Sequence, residues 1–443
     1  MRKSIVLILM VAIMMASAAG AQQQEAVGRQ PTISGDLTLA GAVQTALKHN
    51  PMVQSAGYVA AAARARVSMA KAMTSPQISV SAFGGTSSMG DIMASPPNIM
   101  PSSLFTVPNK TGAVGQAALM IPLYTGGRLS GAVNGAAALA AAAASDRVST
   151  EHDVALEAKT AYHQVLLAQS TIGVFLDLVD EETERVRVAE AAFKEGRIAK
   201  YDLLRNQAGL ADAQQQLTNA DRDAQVAMLD LKMVLGVSPV SSIVLSDRLA
   251  YMHVTGTADD YLGSALKNRS EIAGARAKLD SANASVEVAK SAYMPQVYAT
   301  AMEGLSATSD GTNTGLTAGI IAGLPILDGG ERRAAVKEAE AMRDAMKQDE
   351  QQAVLLVQHD VNVAWAELQS ADKNVQLSQA AVAQAEEDYR VVKLRYEAGK
   401  AVNVEVLDAL AALVKAQNNS LRALYEHNIA RDRLARAIGS DGG

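Results

Sequence analysis

The sequence predicts a mainly α-helical chain with a smaller set of membrane β-strands, built as a duplicated helix-strand-strand-helix repeat. Three observations predict it. The two halves of the chain match each other at fixed offsets, and long alanine-rich runs continue without proline. In each half the hydrophobic period also drops from about 3.6 residues to about 2 just after a proline.

The chain opens with Arg2 and Lys3, an apolar run from Ile5 to Met15, and the small residues Ala19, Gly20 and Ala21. That order predicts a signal peptide over residues 1–21. The remainder divides into a first repeat, 22–238, and a second, 239–443. Ala46, Leu47, Lys48 recurs as Ala265, Leu266, Lys267, and Pro76, Gln77, Ile78 as Pro295, Gln296, Val297, all at an offset of 219. From Pro122 with Pro325 onward the offset is 203, and it persists to Gly236 with Gly439. The change falls between the strands, so the first copy carries the longer loop.

Each repeat begins with a helix, Leu39 to about Met73 and Tyr261 to Ala292, closed by Pro76 and Pro295. Asn50 and Pro51 interrupt only the first. Strands follow at about 77–84 and 296–304, where Ile78, Val80, Ala82 and Val297, Ala299, Ala301 alternate with more polar residues. Returning strands are expected at about 113–124 and 316–327, with Leu119, Ile121, Leu123 and Ala322, Leu324, Ile326 sharing a face. Such lengths suit tilted membrane strands. Gly84 to Gly112 and Ser306 to Thr314, rich in Gly, Ser and Asn, read as loops.

Helical pattern then resumes without proline from Ser130 to Glu195, and again to Ala398. At ~1.5 Å per residue such a helix spans about 100 Å. The flanking helices, Tyr201 to Leu235 among them, reach about half that, so two end to end match one long one. Leu203, Leu210, Leu217, Ala224 and Leu231 recur every seventh position, as do Ala409, Ala416, Ala423, Ala430 and Ala437. Those stripes predict packed coiled coils.

Composition narrows the function. The chain has no cysteine and a formal charge of −6, which removes disulfide and thiol chemistry and argues against a nucleic-acid partner. Phosphate loops, nucleophile elbows and metal-spaced histidines are missing from the sequence, so it predicts no enzyme, no cofactor and no metal site. Asp180, Glu181, Glu182 and Glu184 read as a solvated helix face, and Tyr162 and Trp365 as equivalent fillers between helices. Four amphipathic strands cannot close a membrane barrel, which needs about eight or more, so copies must share one.

The duplication resembles the TolC-like outer-membrane efflux factors over essentially the whole mature chain. The matching features include Ala46 to Met52, the switches at Pro76 and Pro295, the segment Pro122 to Arg128, and Phe193 to Leu204 with its counterpart Tyr396 to Leu407. The resemblance implies a homotrimer whose strands form one shared β-barrel in the outer membrane, continuous with an α-barrel of long coiled-coil helices crossing the periplasm. It implies docking on a periplasmic adaptor protein and an inner-membrane transporter, with outer-membrane lipid around the strands.

By the same resemblance, the turns at Gly196 and Gly399 form the adaptor-docking tip, Glu405 and Asp408 an acidic ring at the periplasmic entrance, and Asp202 with Tyr396 a latch holding the tip shut. The family's arginine partner to that latch falls at Ala401, beside Lys400. Small-molecule export is the leading expectation. The exit duct of a polypeptide secretion system, or a structural periplasmic coiled-coil protein, are the alternatives.

Overall fold

The structure is a computed structural model and describes residues 31–86, 92–93, 106–107, 111–308 and 311–440. The expected signal peptide lies outside the described residues. The first half contains β1 (Ser34–Leu37), α1 (Leu39–His49), α2 (Pro51–Ala72), β2 (Gln77–Thr86), the two-residue strands β3 (Ile92–Met93) and β4 (Thr106–Val107), β5 (Thr111–Tyr124), α3 (Arg128–Lys194) and α4 (Lys200–Val234). The second contains β6 (Ser242–Leu245), α5 (Ala258–Asn268), α6 (Ser270–Ser291), β7 (Gln296–Thr308), β8 (Gly311–Gly323), α7 (Glu331–Glu397) and α8 (Asn403–Ala437).

Helix lengths repeat without exception: 11 residues in α1 and α5, 22 in α2 and α6, 67 in α3 and α7, 35 in α4 and α8. Both long helices therefore run about 100 Å. Each starts behind a glycine of positive φ, Gly127 at 94° and Gly330 at 96°, which turns the chain sharply out of the preceding strand segment. Among the described residues no helix is long and apolar enough to cross a membrane.

The expected unbroken helix over Tyr261 to Ala292 is in fact two. Arg269 leaves helical geometry (φ −67°, ψ 120°), as Asn50 does in the first half (φ −65°, ψ 127°). In the first half Pro51 announces the break; in the second no proline does. The reason lies in packing. Asn50 Nδ2 donates to Val234 O at 2.8 Å, and Arg269 Nη1 donates to Arg436 O at 3.2 Å and Ala437 O at 3.3 Å, so each break satisfies carbonyls orphaned at a helix end.

The strands form one antiparallel sheet in the order β2-β5-β7-β8, and the β5–β7 pairing joins the two halves. Cross-strand register gathers Ile78 and Val80 with Ala117, Leu119, Ala299, Ala301, Ala318 and Ile320 on one face, interrupted by Glu303. Ser79, Ser81, Gln116, Thr300 and Thr317 share the other.

Of the differences from expectation, two trace to proline. Pro122 has no N–H to give the ladder, and register against β7 slips by one between Pro122 and Tyr124. Leu123 is thus the bulged residue, and Tyr124, opposite Val297, takes its face. The expected strand 316–327 stops at Gly323 before Pro325, leaving Ile326 and Leu327 beyond it and exposed. Its start lies earlier than expected, at Gly311, so β7 and β8 extend into the predicted loop Ser306 to Thr314. The predicted loop Gly84 to Gly112 likewise holds the β3–β4 pair.

Two hydrophobic clusters sit at mid-height. The first surrounds Val154, Tyr162, Leu231 and Leu235, and the Tyr162 hydroxyl lies 2.8 Å from both Leu37 O and the Asp247 carboxylate. The second surrounds Ile272, Val357, Val361, Leu368 and Leu434. Trp365, the counterpart of Tyr162, packs against that cluster and lies 5.4 Å from the Tyr261 ring.

A parallel pair, β1 with β6, which alternation in the sequence does not mark, brings the segment between the halves back onto the first cluster. Ile243, Leu245 and Leu249 pack there, whereas Val254 packs on the second.

Candidate functional site

The far ends of α3 and α7, about 100 Å from the sheet, are the helix-turn-helix tips. At Gly196 (φ 72°) the amide donates to Phe193 O at 2.9 Å and Arg197 N donates to Ala192 O at 2.8 Å. Gly399 (φ 68°) repeats this with Tyr396 O at 2.9 Å and Lys400 N to Arg395 O at 2.8 Å. Both are left-handed helix ends with paired closing hydrogen bonds. A Cβ added at either glycine would meet nothing within 4 Å, so backbone conformation selects glycine there and the outer surface stays open.

Glu405 folds back on its own helix start. One carboxylate oxygen accepts from Val402 N at 3.3 Å, and the other lies 3.4 Å from Arg395 Nη1. Asp408, one turn on, is exposed and lines a groove with Glu182, Asp212 and Lys415. The two acids share a helix face, but Glu405 has Arg395 close by while Asp408 has no partner of opposite charge at close range among the described residues.

Asp202 and Tyr396 are not joined. No side-chain hydrogen bond engages the Asp202 carboxylate among the described residues, and Tyr396 packs with Tyr389 around Val392, Val406 and Ala409.

A polar network that spacing did not reveal links the two coiled coils instead. Arg185 Nη2 on α3 donates to Asn403 Oδ1 at 2.8 Å, and Asn403 Nδ2 donates to Asn206 Oδ1 at 3.3 Å. Arg185 Nη1 also reaches Glu182 Oε1 at 3.4 Å. On the next turn, Lys393 Nζ donates to Glu181 Oε1 at 2.7 Å, and the Tyr389 hydroxyl donates to the same oxygen. Four helices thus meet around a cavity of about 300 Å³ lined by Glu181, Arg185, Asn206, Lys393, Tyr396 and Asn403 among others.

The acidic run around residue 181 is accordingly solvated only in part: Asp180 and Glu184 are exposed, whereas Glu181 is half-buried and Glu182 faces the interior. Glu182 is buried, 4% exposed, and its second oxygen has no hydrogen-bond partner. Burial raises its carboxyl above the usual range and the Glu181 charge adds to that, with Arg185 opposing. Burial alone would raise Glu181 too, but hydrogen bonds from Lys393 and Tyr389 lower it overall. Space for Glu182 comes from Gly209 on α4, where a Cβ would sit 3.1 Å from Glu182 Oε2.

Helical spacing places these residues on particular helix faces, yet gives no sign that those faces meet. Among the described residues there is no grouping of three or more His, Asp or Glu side chains arranged to hold a metal ion.

Comparison with known proteins bears on the fold as a whole. The chain is 26% identical over 261 residues to the pyoverdine export outer membrane protein OpmQ of Pseudomonas putida, a match covering 57% of this chain and 54% of that one. It is 23% identical to the cobalt-zinc-cadmium resistance protein CzcC of Cupriavidus metallidurans, over 77% of this chain and 81% of that one. A membrane protein of known structure from Pseudomonas aeruginosa superposes with a TM-score of 0.76 at 20% identity, covering 91% of each chain. The family model for outer membrane efflux proteins matches residues 42–237 and 261–440, both halves of the duplication, and the chain belongs to that family.

Proposed function

We propose that three copies of this chain form the exit duct of a tripartite export system, carrying small solutes across the periplasm and the outer membrane. The observation that carries this reading is the four-stranded sheet with two unpaired edges, set on helices about 100 Å long. In lipid an open edge leaves backbone groups without partners, and three such sheets joined edge to edge remove every edge. The two relatives' names, pyoverdine export and cobalt-zinc-cadmium resistance, support small solutes as cargo.

The duct is passive in this proposal, with energy supplied by an inner-membrane transporter and coupling by a periplasmic adaptor seated on the turns at Gly196 and Gly399. Glu405 and Asp408 from three copies gather at the entrance and favour cations. Closure rests on the Arg185, Asn206 and Asn403 network inside each chain. Asp202 and Tyr396, unbonded to each other, are available to a neighbouring copy.

Planar-bilayer conductance of the purified protein, with its detergent-corrected mass, tests the proposal. A trimer giving cation-selective channels, less selective once Glu405 and Asp408 are replaced by Gln and Asn, is the expected result. A water-soluble monomer without channel activity would overturn it.

A further inference from the structure

We propose that Met52 and Met233 of one copy pack against Gln352 and Leu356 of the next, forming a largely apolar seam at mid-height. This seam takes the place, position for position, of an ionic contact made inside each chain. The inference rests on the trimer reading above.

Inside the chain, one of the ionic contacts that join the halves at mid-height centres on Arg436. Arg436 Nε donates to Asp153 Oδ1 at 2.7 Å, and Nη2 donates to Glu271 Oε1 at 2.6 Å and to Ser149 Oγ at 3.1 Å. Ser149 Oγ in turn donates to Glu271 Oε1 at 2.9 Å. Arg436 and Glu271 belong to α8 and α6 of the second half, Ser149 and Asp153 to α3 of the first.

Every helix of one half maps on its counterpart with identical bounds at an offset of 219 or 203, so the correspondence has no gaps. It takes Arg436 to Met233, Asp153 to Leu356, Ser149 to Gln352 and Glu271 to Met52. The ion network becomes two methionines, a leucine and a glutamine. In the single chain these apolar side chains lie open: Met52 is 60% exposed, Met233 68% and Leu356 52%. A ring that closes by repeating its internal join brings them together, Met52 and Met233 on α2 and α4 of one copy, Gln352 and Leu356 on α7 of the other. Covering large apolar groups is the favourable outcome in water.

A second level of the fold points the same way. Across the internal join Gln296 Nε2 donates to Thr125 O at 3.1 Å. Its counterpart Gln77 stands on the unpaired edge strand β2 with no side-chain hydrogen bond among the described residues, and the counterpart of Thr125 is Asp328, just past the other edge strand β8. Both edges thus carry one half of a join whose other half a second copy supplies.

The chain contains no cysteine, so engineered pairs report cleanly. Met52→Cys with Gln352→Cys, in the full chain in its native membrane, is oxidised with copper phenanthroline and run without reductant. A ladder up to trimer size is expected, whereas Ser149→Cys with Glu271→Cys, the equivalent pair within one chain, closes at monomer size. Separately, Leu356→Asp should abolish the detergent-stable trimer, and adding Met233→Arg should restore it by rebuilding the Asp153–Arg436 pair between copies.

A trimer by mass whose two cysteines react with maleimide yet form no ladder would overturn the seam while leaving the duct intact. So would a ladder that joins position 352 to a different protein. A monomer in the membrane would overturn both readings.

Discussion

Asn50 and Arg269 stand at the same position in the two halves and perform one task with different chemistry. Each breaks its helix and turns a donor onto the last carbonyls of the returning helix, Asn50 onto Val234 and Arg269 onto Ala437, which are themselves counterparts. Asn50 also caps α2 by accepting from Met52 N at 2.7 Å. Replacing it with Ala removes a cap and strands a buried carbonyl, and should lower stability by roughly 1–3 kcal/mol, read as a shift in thermal unfolding of the detergent-solubilised protein.

The same elbow presses on a glycine. Gly236 has φ 68°, and a Cβ there would sit 2.4 Å from His49 O and 2.7 Å from His49 C. Backbone cannot step aside as a flexible side chain can. Gly236→Ala should therefore cost about 1 kcal/mol for the left-handed conformation and a further ~1–3 kcal/mol for crowding. At the counterpart Gly439 the nearest atoms are 3.0–3.2 Å away, so Gly439→Ala should cost less. Equal melting shifts for the two variants would contradict this account.

Acid should loosen the internal join at mid-height. Burial tends to raise the Glu271 carboxyl, but hydrogen bonding to Arg436 prevails and holds it at about 2. An acid depressed on folding contributes stability that is fully present above its ordinary value near 4.5 and is lost as pH falls through about 2. The contribution is on the order of 2 kcal/mol. Glu271→Gln should flatten the pH dependence of unfolding in that window, as measured by denaturant titration at a series of pH values.

Glu182 should behave in the opposite sense. Its folded value is raised, so the folded chain favours the protonated form and stability declines as pH climbs through that value. Glu182→Gln keeps the shape beside Gly209 without the charge. The variant should unfold at a higher temperature than wild type, with a gain that grows toward neutral pH and vanishes in acid.

At the tip, the geometry separates two substitutions. Arg185 makes direct bonds to Asn403 and Glu182, whereas Asp202 makes no side-chain bond among the described residues. Arg185→Ala should raise single-channel open probability several-fold, because it leaves Glu182 buried and unpaired and uncouples the two coiled coils. Asp202→Ala alone should change it less. The reverse order in bilayer recordings would place closure on contacts between copies.

The long-range plan of the fold was legible because duplication writes it twice. Offsets of 219 and 203 read from Pro76 with Pro295 and from Gly196 with Gly399 align every helix in the structure. Strand ends were less legible, since Pro122 and Pro325 act on hydrogen-bond register, which alternation does not record. The break at Arg269 had no local sign, because its cause is a pair of carbonyls more than 160 residues away. Glu181 and Glu182 looked solvated for a similar reason. Helical spacing fixes which side of α3 they occupy, and the α7–α8 coil that covers them comes from the other half. The turns at Gly196 and Gly399 were legible, because the positive φ that ends each helix is a local demand.

The pairing of β5 with β7 has one more consequence. It is a join between two half-length units that happen to be covalently linked, and in the proposed ring the edges β8 and β2 repeat it with no link at all. A chain of half the length would need twice as many separate molecules to complete the same ring, each losing its own translational freedom. Fusion makes every second encounter intramolecular, at a high effective concentration set by the connector between the halves. It also frees the two kinds of join to diverge, so that one can remain ionic and internal while the other becomes a surface for recognising copies of itself.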